Sequence, residues 1–192
     1  MDTLKKLLIA NRSVRRFDAS RSISFDTLEN LVDLCRYCAS GINIQPLKYR
    51  IVHTPEECDL VFPHLKWAGY YTDWDGPSRE QRPVAYLIQC LDTEISADCL
   101  CDDGLQLEAI TLGATEKGIG GCIIKAFNPA AISEALHLPG HLKPRYVLAL
   151  GYPAEEIQLV DMDESAPEGF KYYRLPDGTH CVPKRPLSSI LI

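Results

Sequence analysis

The sequence predicts one domain that mixes α-helices with buried β-strands. Three observations carry this reading. Apolar residues make up 46% of the 192 positions, enough to fill a sizeable core. Segments with apolar residues at helical spacing alternate with short continuous apolar runs, such as Val-Ala-Tyr-Leu-Ile at 84–88. No internal repeat or linker divides the chain, so residues 1–192 read as a single unit.

Each element follows in order. Asp2 caps a helix whose Leu4, Leu7 and Leu8 share one face. That helix delivers the chain to the strip Asn11-Arg12-Ser13-Val14-Arg15-Arg16-Phe17-Asp18. Ser24 caps a second helix, with Leu28, Leu31, Val32 and Cys35 on one side, which is expected to stop near Ala39-Ser40-Gly41. The loop Ser40-Gly41-Ile42-Asn43-Ile44-Gln45-Pro46 leads to a strand around residues 49–52. Residues 55–82 read as a short helix and then an aromatic, turn-rich segment that holds both tryptophans, Trp67 and Trp74. Such a segment serves as a lid, as a substrate wall or as a plug at a subunit interface. Residues 83–91 form a buried strand.

Residues 102–118 read as a long helix, apolar nearly all round, which predicts burial in a dimer core. The glycines Gly118, Gly120 and Gly121 follow a helix and lead into a strand, the reverse of a dinucleotide-binding fingerprint, which is therefore excluded. Asn128 caps a short helix, and residues 145–151 form another core strand. Residues 155–168 carry six acids and no base and read as a solvated excursion. Residues 170–182 read as a hairpin around the turn Pro176-Asp177-Gly178, followed by a C-terminal tail with a second basic point at Lys184 and Arg185.

Composition excludes several classes. A net charge of −6 argues against nucleic acid as a general partner. No apolar run reaches membrane-spanning length and no signal-peptide pattern opens the chain, so a cytoplasmic protein without a membrane partner is expected. The eight cysteines lack zinc-site spacing: Cys35-Arg36-Tyr37-Cys38 stands alone within a helical pattern, and no metal is expected. His137 and His141 are four apart, but Pro139-Gly140 breaks the helix that would align them.

Chemistry concentrates in two places. Arginine presents a planar fork of donors suited to phosphate oxygens. Arg12 and Arg15, with Ser13 between them, thus form a phosphate grip, with Lys184 or Arg185 closing on the same group. The strip also reads as a solvated basic turn paired with surface carboxylates. The loop carrying Ser40, Asn43 and Gln45 offers neutral donors and acceptors suited to a heterocycle with mixed edges, such as a flavin ring. Its other reading is an ordinary turn whose side chains bond their own backbone.

Taken together, Arg12-Ser13-Val14-Arg15-Arg16-Phe17, Ser40…Asn43-x-Gln45-Pro46, Leu112-Gly113…Gly118…Phe127, Leu150-Gly151-Tyr152-Pro153 and Lys184-Arg185-Pro186-Leu187 resemble the FMN-dependent nitroreductase family, which includes oxygen-insensitive nitroreductases and flavin reductase-like proteins. The resemblance implies an α+β nitroreductase-like fold: a mixed, mainly antiparallel central sheet flanked by helices, in an intertwined homodimer. It further implies FMN at each of two subunit interfaces. Arg12, Ser13 and Arg15, with Lys184 or Arg185, would hold its phosphate and ribityl chain. Ser40, Asn43 and Gln45 would reach the ring from the other subunit, and the backbone near Ile124 and Lys125 would face its reactive edge.

The implied activity is ping-pong hydride transfer from NAD(P)H, through the flavin, to a small-molecule electron acceptor such as a nitroaromatic, quinone or enone. Arg15 or Lys125 would supply positive charge near flavin N1, and no side-chain acid or base is identified. Two departures from the family pattern stand out. Asn11 replaces a frequent arginine, and Ile124-Lys125-Ala126-Phe127 lacks the glycine often found before the phenylalanine. The segment 66–82 resembles only a subset of the family, so no substrate residue is carried over. Other classes that fit the residues are a flavin-binding storage or sensing protein without turnover and a cysteine-based redox or metal protein.

Overall fold

The capping residues act as the sequence predicts. In a computed structural model that describes residues 2–192, Asp2 accepts from the N–H of Leu4 to start α1 (Thr3–Ala10), and Ser24 accepts from that of Thr27 to start α2 (Phe25–Asp33). The helical path after α2 tightens into a 3₁₀ turn over Leu34–Tyr37 and stops at the extended Cys38, before reaching Gly41. Then come β1 (Leu47–Val52), α3 (Pro55–Val61), β2 (Ala85–Asp92), α4 (Asp102–Glu116), β3 (Gly120–Ile124), α5 (Pro129–Ala135) and β4 (Leu142–Gly151). The chain closes with β5 (Ile157–Asp161), β6 (Tyr173–Arg174) and β7 (His180–Lys184).

β1 to β4 form one sheet in the order β1-β2-β4-β3, with every neighbouring pair antiparallel. All positions of β2 are buried, because helices cover both faces of the sheet. Alternation along the strand assigns its side chains to two cores. Tyr86 and Ile88 pack with Val61 of α3 and Ile132 of α5, whereas Leu87 packs with Leu28 and Leu31 of α2 and Leu107 and Ile110 of α4. This is the expected α+β arrangement of a mainly antiparallel sheet flanked by helices.

The helix expected over 102–118 forms as α4, and its own chain covers it only in part. It buries Leu107, Ile110 and Ala114, but Leu105 is 45% exposed and Leu112 half-buried, so its outer apolar side has no cover from this chain. The acidic stretch 155–168 is not only a solvated excursion. Ile157–Asp161 is a strand that pairs in parallel with β7, while β6 pairs antiparallel on the other side, giving a second sheet ordered β5-β7-β6. Counting acids hides the alternation of Ile157 and Leu159 that lets this segment lie against β7.

The arginine strip is fixed between the two sheets. Ser13 bridges to Gly121, the N–H of Val14 donates to the Gly121 carbonyl at 3.0 Å, and Phe17 bridges to Pro153 with its ring fully buried. The close approach needs Gly120: a Cβ there would lie 2.6 Å from Val14 Cγ2. Glu155, just before β5, accepts the N–H groups of both Arg15 and Arg16.

Candidate cofactor site

Where the strip, α4, β3 and β7 meet, they enclose a cavity of about 410 Å³, within the roughly 300–1,000 Å³ usual for small-molecule sites. Arg12, Ser13, Arg15 and Lys184 line it, and Glu108 is the one carboxylate on its wall. Arg12 is anchored by donating from Nη2 to the Leu8 carbonyl at 2.7 Å. Its Nε is buried without a partner, and burial lowers the guanidinium pKa against the opposing pull of Glu108. A buried donor with no acceptor is costly. Asn11 adds no cation here. It donates to Thr111 Oγ1 at 2.9 Å and to Glu108 Oε1 at 3.3 Å, pinning the strip to α4.

Arg15 is held from three sides. Its Nη1 lies 3.1 Å from Nε2 of the buried His180 and 3.3 Å from the Ser13 carbonyl, and its guanidinium stands 4.7 Å from the centre of the Tyr172 ring. A guanidinium only donates, so His180 Nε2 accepts. The imidazole therefore carries its proton on Nδ1, which donates to the Tyr71 hydroxyl at 2.7 Å. Burial above all, then the charge of Arg15, with Arg174 adding to it and Glu155 opposing, pushes the His180 pKa down to about 4. Glu155 has its own counter-ion, Arg174, and its side chain is buried.

A second cavity of about 260 Å³ adjoins the first and shares Arg15, Ile123 and Tyr172 with it. Ile124 and Lys125 line this second space together with Lys66 and Trp67. The Ile124 side chain is buried in the core, so the strand presents its backbone there. Lys125 is exposed, with Nζ 5.4 Å from the centre of the Tyr146 ring.

The other residues singled out in the sequence lie elsewhere in the chain. Ser40 and Gln45 line a separate cavity of about 300 Å³ beside Cys35 and Tyr49. Ser40 Oγ donates to Asp102 Oδ2 at 2.6 Å, and Gln45 Nε2 donates to the carbonyl and Oδ1 of Asn43, each at 3.1 Å. Within one chain the loop's polar groups are thus answered by Asp102 and by one another, with positive φ angles at Ile42, Asn43 and Gln45. Arg185 also points away, toward Glu164 at 3.5 Å.

Tyr71, Glu155, Tyr172 and His180 escaped the sequence reading. Their local signals are the aromatic segment for Tyr71, the acidic stretch for Glu155 and the hairpin for Tyr172 and His180, whose register sets Arg174 opposite His180. All eight cysteines are free, and burial raises Cys35 and Cys122 to about 11 and Cys58 and Cys90 to about 12. Such thiols stay protonated and inert near neutrality. Ligand atoms of Asp92, Glu94 and His141 lie within 4.8 Å of one another where β2 ends and β4 begins.

A model of the nitroreductase family matches residues 9–76 and 101–152, over half of the chain. The chain belongs to the nitroreductase family. The matched residues take in the arginine strip, the Ser40 loop, α4, β3 and β4, and leave out the hairpin with His180 and Lys184.

Solved structures agree in fold. A nitroreductase family protein from Clostridium difficile 630 is 22% identical, with 100% of this chain and 98% of that one covered and a TM-score of 0.67. One from Clostridium novyi NT is 25% identical, with 80% and 87% covered and a TM-score of 0.67. A structure described as a nitroreductase in complex with FMN, from Desulfovibrio desulfuricans, is 18% identical, with 100% and 96% covered and a TM-score of 0.73. No curated protein matches the chain. Among the described residues of this nitroreductase family member, no helix is long and apolar enough to cross a membrane.

Proposed function

We propose that the chain is an FMN-dependent NAD(P)H oxidoreductase that works by ping-pong hydride transfer to an electron acceptor such as a nitroaromatic, quinone or enone. The observation that carries this reading is a cavity walled by three cations, Arg12, Arg15 and Lys184, and one carboxylate, Glu108. The Desulfovibrio desulfuricans relative, described with FMN, supports it. Arg12, Ser13, Arg15 and Lys184 hold the phosphate and ribityl chain, and the backbone at Ile124 and Lys125 supports the ring. When bound, FMN supplies the hydride chemistry.

The chain's own groups bind and orient. Arg12, Arg15 and Lys184 neutralise the phosphate, and Arg15 or Lys125 places positive charge near the ring. His180 is no proton donor to a substrate, since its one N–H already binds Tyr71. The exposed Leu4, Leu8 and Ile9 of α1 and Leu105 of α4 support a homodimer. In that assembly Ser40, Asn43 and Gln45 of one copy complete the site of the other.

Purification of the full chain tests the reading. A yellow protein that releases FMN and bleaches when NAD(P)H is added without oxygen is expected. Yellow protein that never bleaches would make it a flavin-binding protein without turnover, and a chain that neither carries nor takes up FMN would overturn the proposal.

A further inference from the structure

Arg15 has an unusual set of neighbours for a cation half-buried in a site. No carboxylate pairs with its guanidinium among the described residues. Glu155 bonds the Arg15 backbone N–H instead and spends its charge on Arg174. What holds the side chain is neutral: the Ser13 carbonyl, the Tyr172 face and His180 Nε2. A neutral acceptor fixes a guanidinium without quenching its charge, so the charge remains available to an anion, whereas a carboxylate in the same place would compete with that anion.

The histidine is itself fixed. Its backbone N–H donates to the Glu156 carbonyl at 2.8 Å within the second sheet, and its Nδ1–H donates to Tyr71. Tyr71 belongs to the aromatic segment 67–77, and next to it the N–H of Tyr70 donates to the Tyr172 hydroxyl at 3.3 Å. Two hydrogen bonds thus tie this segment to the residues that flank Arg15.

We propose that His180 is a positioning residue of the cofactor site: it holds the Arg15 guanidinium toward the cavity and, through Tyr71, makes that hold depend on the seating of the aromatic segment. The inference rests on the FMN reading above. FMN is therefore titrated first into the flavin-free full-length wild type; absence of binding there refutes the cofactor reading, while the outcomes below bear on His180 alone.

A glutamine side chain at this position would carry its amide to the place of Nε2, and the shorter asparagine only to the place of Nδ1. His180→Gln therefore keeps an acceptor for Arg15 and His180→Asn removes it. For a hydrogen bond to a charged group, His180→Asn is expected to weaken FMN binding about tenfold, and His180→Gln less than about threefold. Combined with Arg15→Ala, His180→Asn should add no further loss, since coupled residues are not additive. A merely structural histidine would instead weaken both backgrounds alike. Tyr71→Phe, a change at a partly exposed position, should weaken binding about threefold and likewise only while Arg15 is present. It carries the test if His180→Asn does not fold. Folded His180→Asn protein with wild-type affinity, or an equal loss in the Arg15→Ala background, would overturn the proposal.

Discussion

At the scale of single residues, the site was half legible. Arg12, Ser13 and Arg15 are neighbours in sequence, so a cluster of donors suited to phosphate announces itself without any fold. Their supports come from far away: His180 lies 165 positions from Arg15 and 109 from Tyr71, and Glu155 reaches the Arg15 backbone across 140. No periodicity links such positions. Arg12, with its unpartnered Nε, is the side chain whose loss FMN should feel most. Arg12→Ala removes about 1.5–3 kcal/mol, the usual worth of a hydrogen bond to a charged group, or about ten- to hundredfold in FMN affinity. Unchanged affinity by titration would refute that role. The two basic residues near the C-terminus, inseparable in the sequence, are separated by the structure. Lys184 lines the cavity and Arg185 faces Glu164. Lys184→Gln should therefore weaken FMN binding severalfold and Arg185→Gln leave it unchanged, read in the same titration. His180 sets a pH dependence of stability. Arg15 and Arg174 face it as cations, Glu155 as an anion, and Tyr71 and Tyr172 as neutral rings. Its folded pKa of about 4 lies below its ordinary 6.5, so protons favour the unfolded chain. The stabilisation is complete above pH 6.5 and is lost as pH falls from there toward 4. Thermal melts should show the gap between wild type and His180→Gln narrowing from about pH 7 to about pH 5.

At the scale of elements, caps and apolar periods located α1 to α5 and the central strands, because burial on one side writes a repeat into the sequence. They failed for β5, where six acids mask a strand whose partner, β7, lies beyond the hairpin. The loop at 40–45 shows the opposite failure. Its donors and acceptors were legible, but their use was not, since Ser40 turns to Asp102 and Gln45 to Asn43. Glu155 joins these elements: it binds the strip through two backbone N–H groups and the hairpin through Arg174. Glu155→Gln leaves Arg174 as a largely buried, unanswered charge. Breaking a buried pair from one side costs about 3 kcal/mol at the lower end of the usual range, or about 6–12 °C in Tm for a chain of this length. Differential scanning calorimetry reads the shift, and a loss under about 2 °C would show that Arg174 finds another partner.

At the scale of the whole molecule, one chain leaves two features unexplained. Apolar side chains of α1 and α4, among them Leu4 and Leu105, are exposed, and the Ser40 loop holds positive φ angles while lining a cavity separate from that of the arginines. The proposed symmetric dimer would account for both, if it buries those helices and brings the loop of one copy to the cavity of the other. In the proposed dimer each site would draw on two chains, Arg12 from one and Asn43 from the other, and each copy would play both roles. Suppose Arg12→Ala and Asn43→Ala are assayed at an FMN concentration at which each homodimer is inactive. A mixed dimer then has one site carrying both defects and one carrying neither. Random pairing on co-expression makes half the dimers mixed and leaves roughly a quarter of all sites intact. Activity should therefore return when two inactive chains are combined, at about a quarter of the wild-type level per site. If Arg12 and Asn43 served the same site from one chain, every site in the mixture would still carry a defect. Co-expressed variants shown to have exchanged subunits, yet as inactive as either parent, would exclude the shared site.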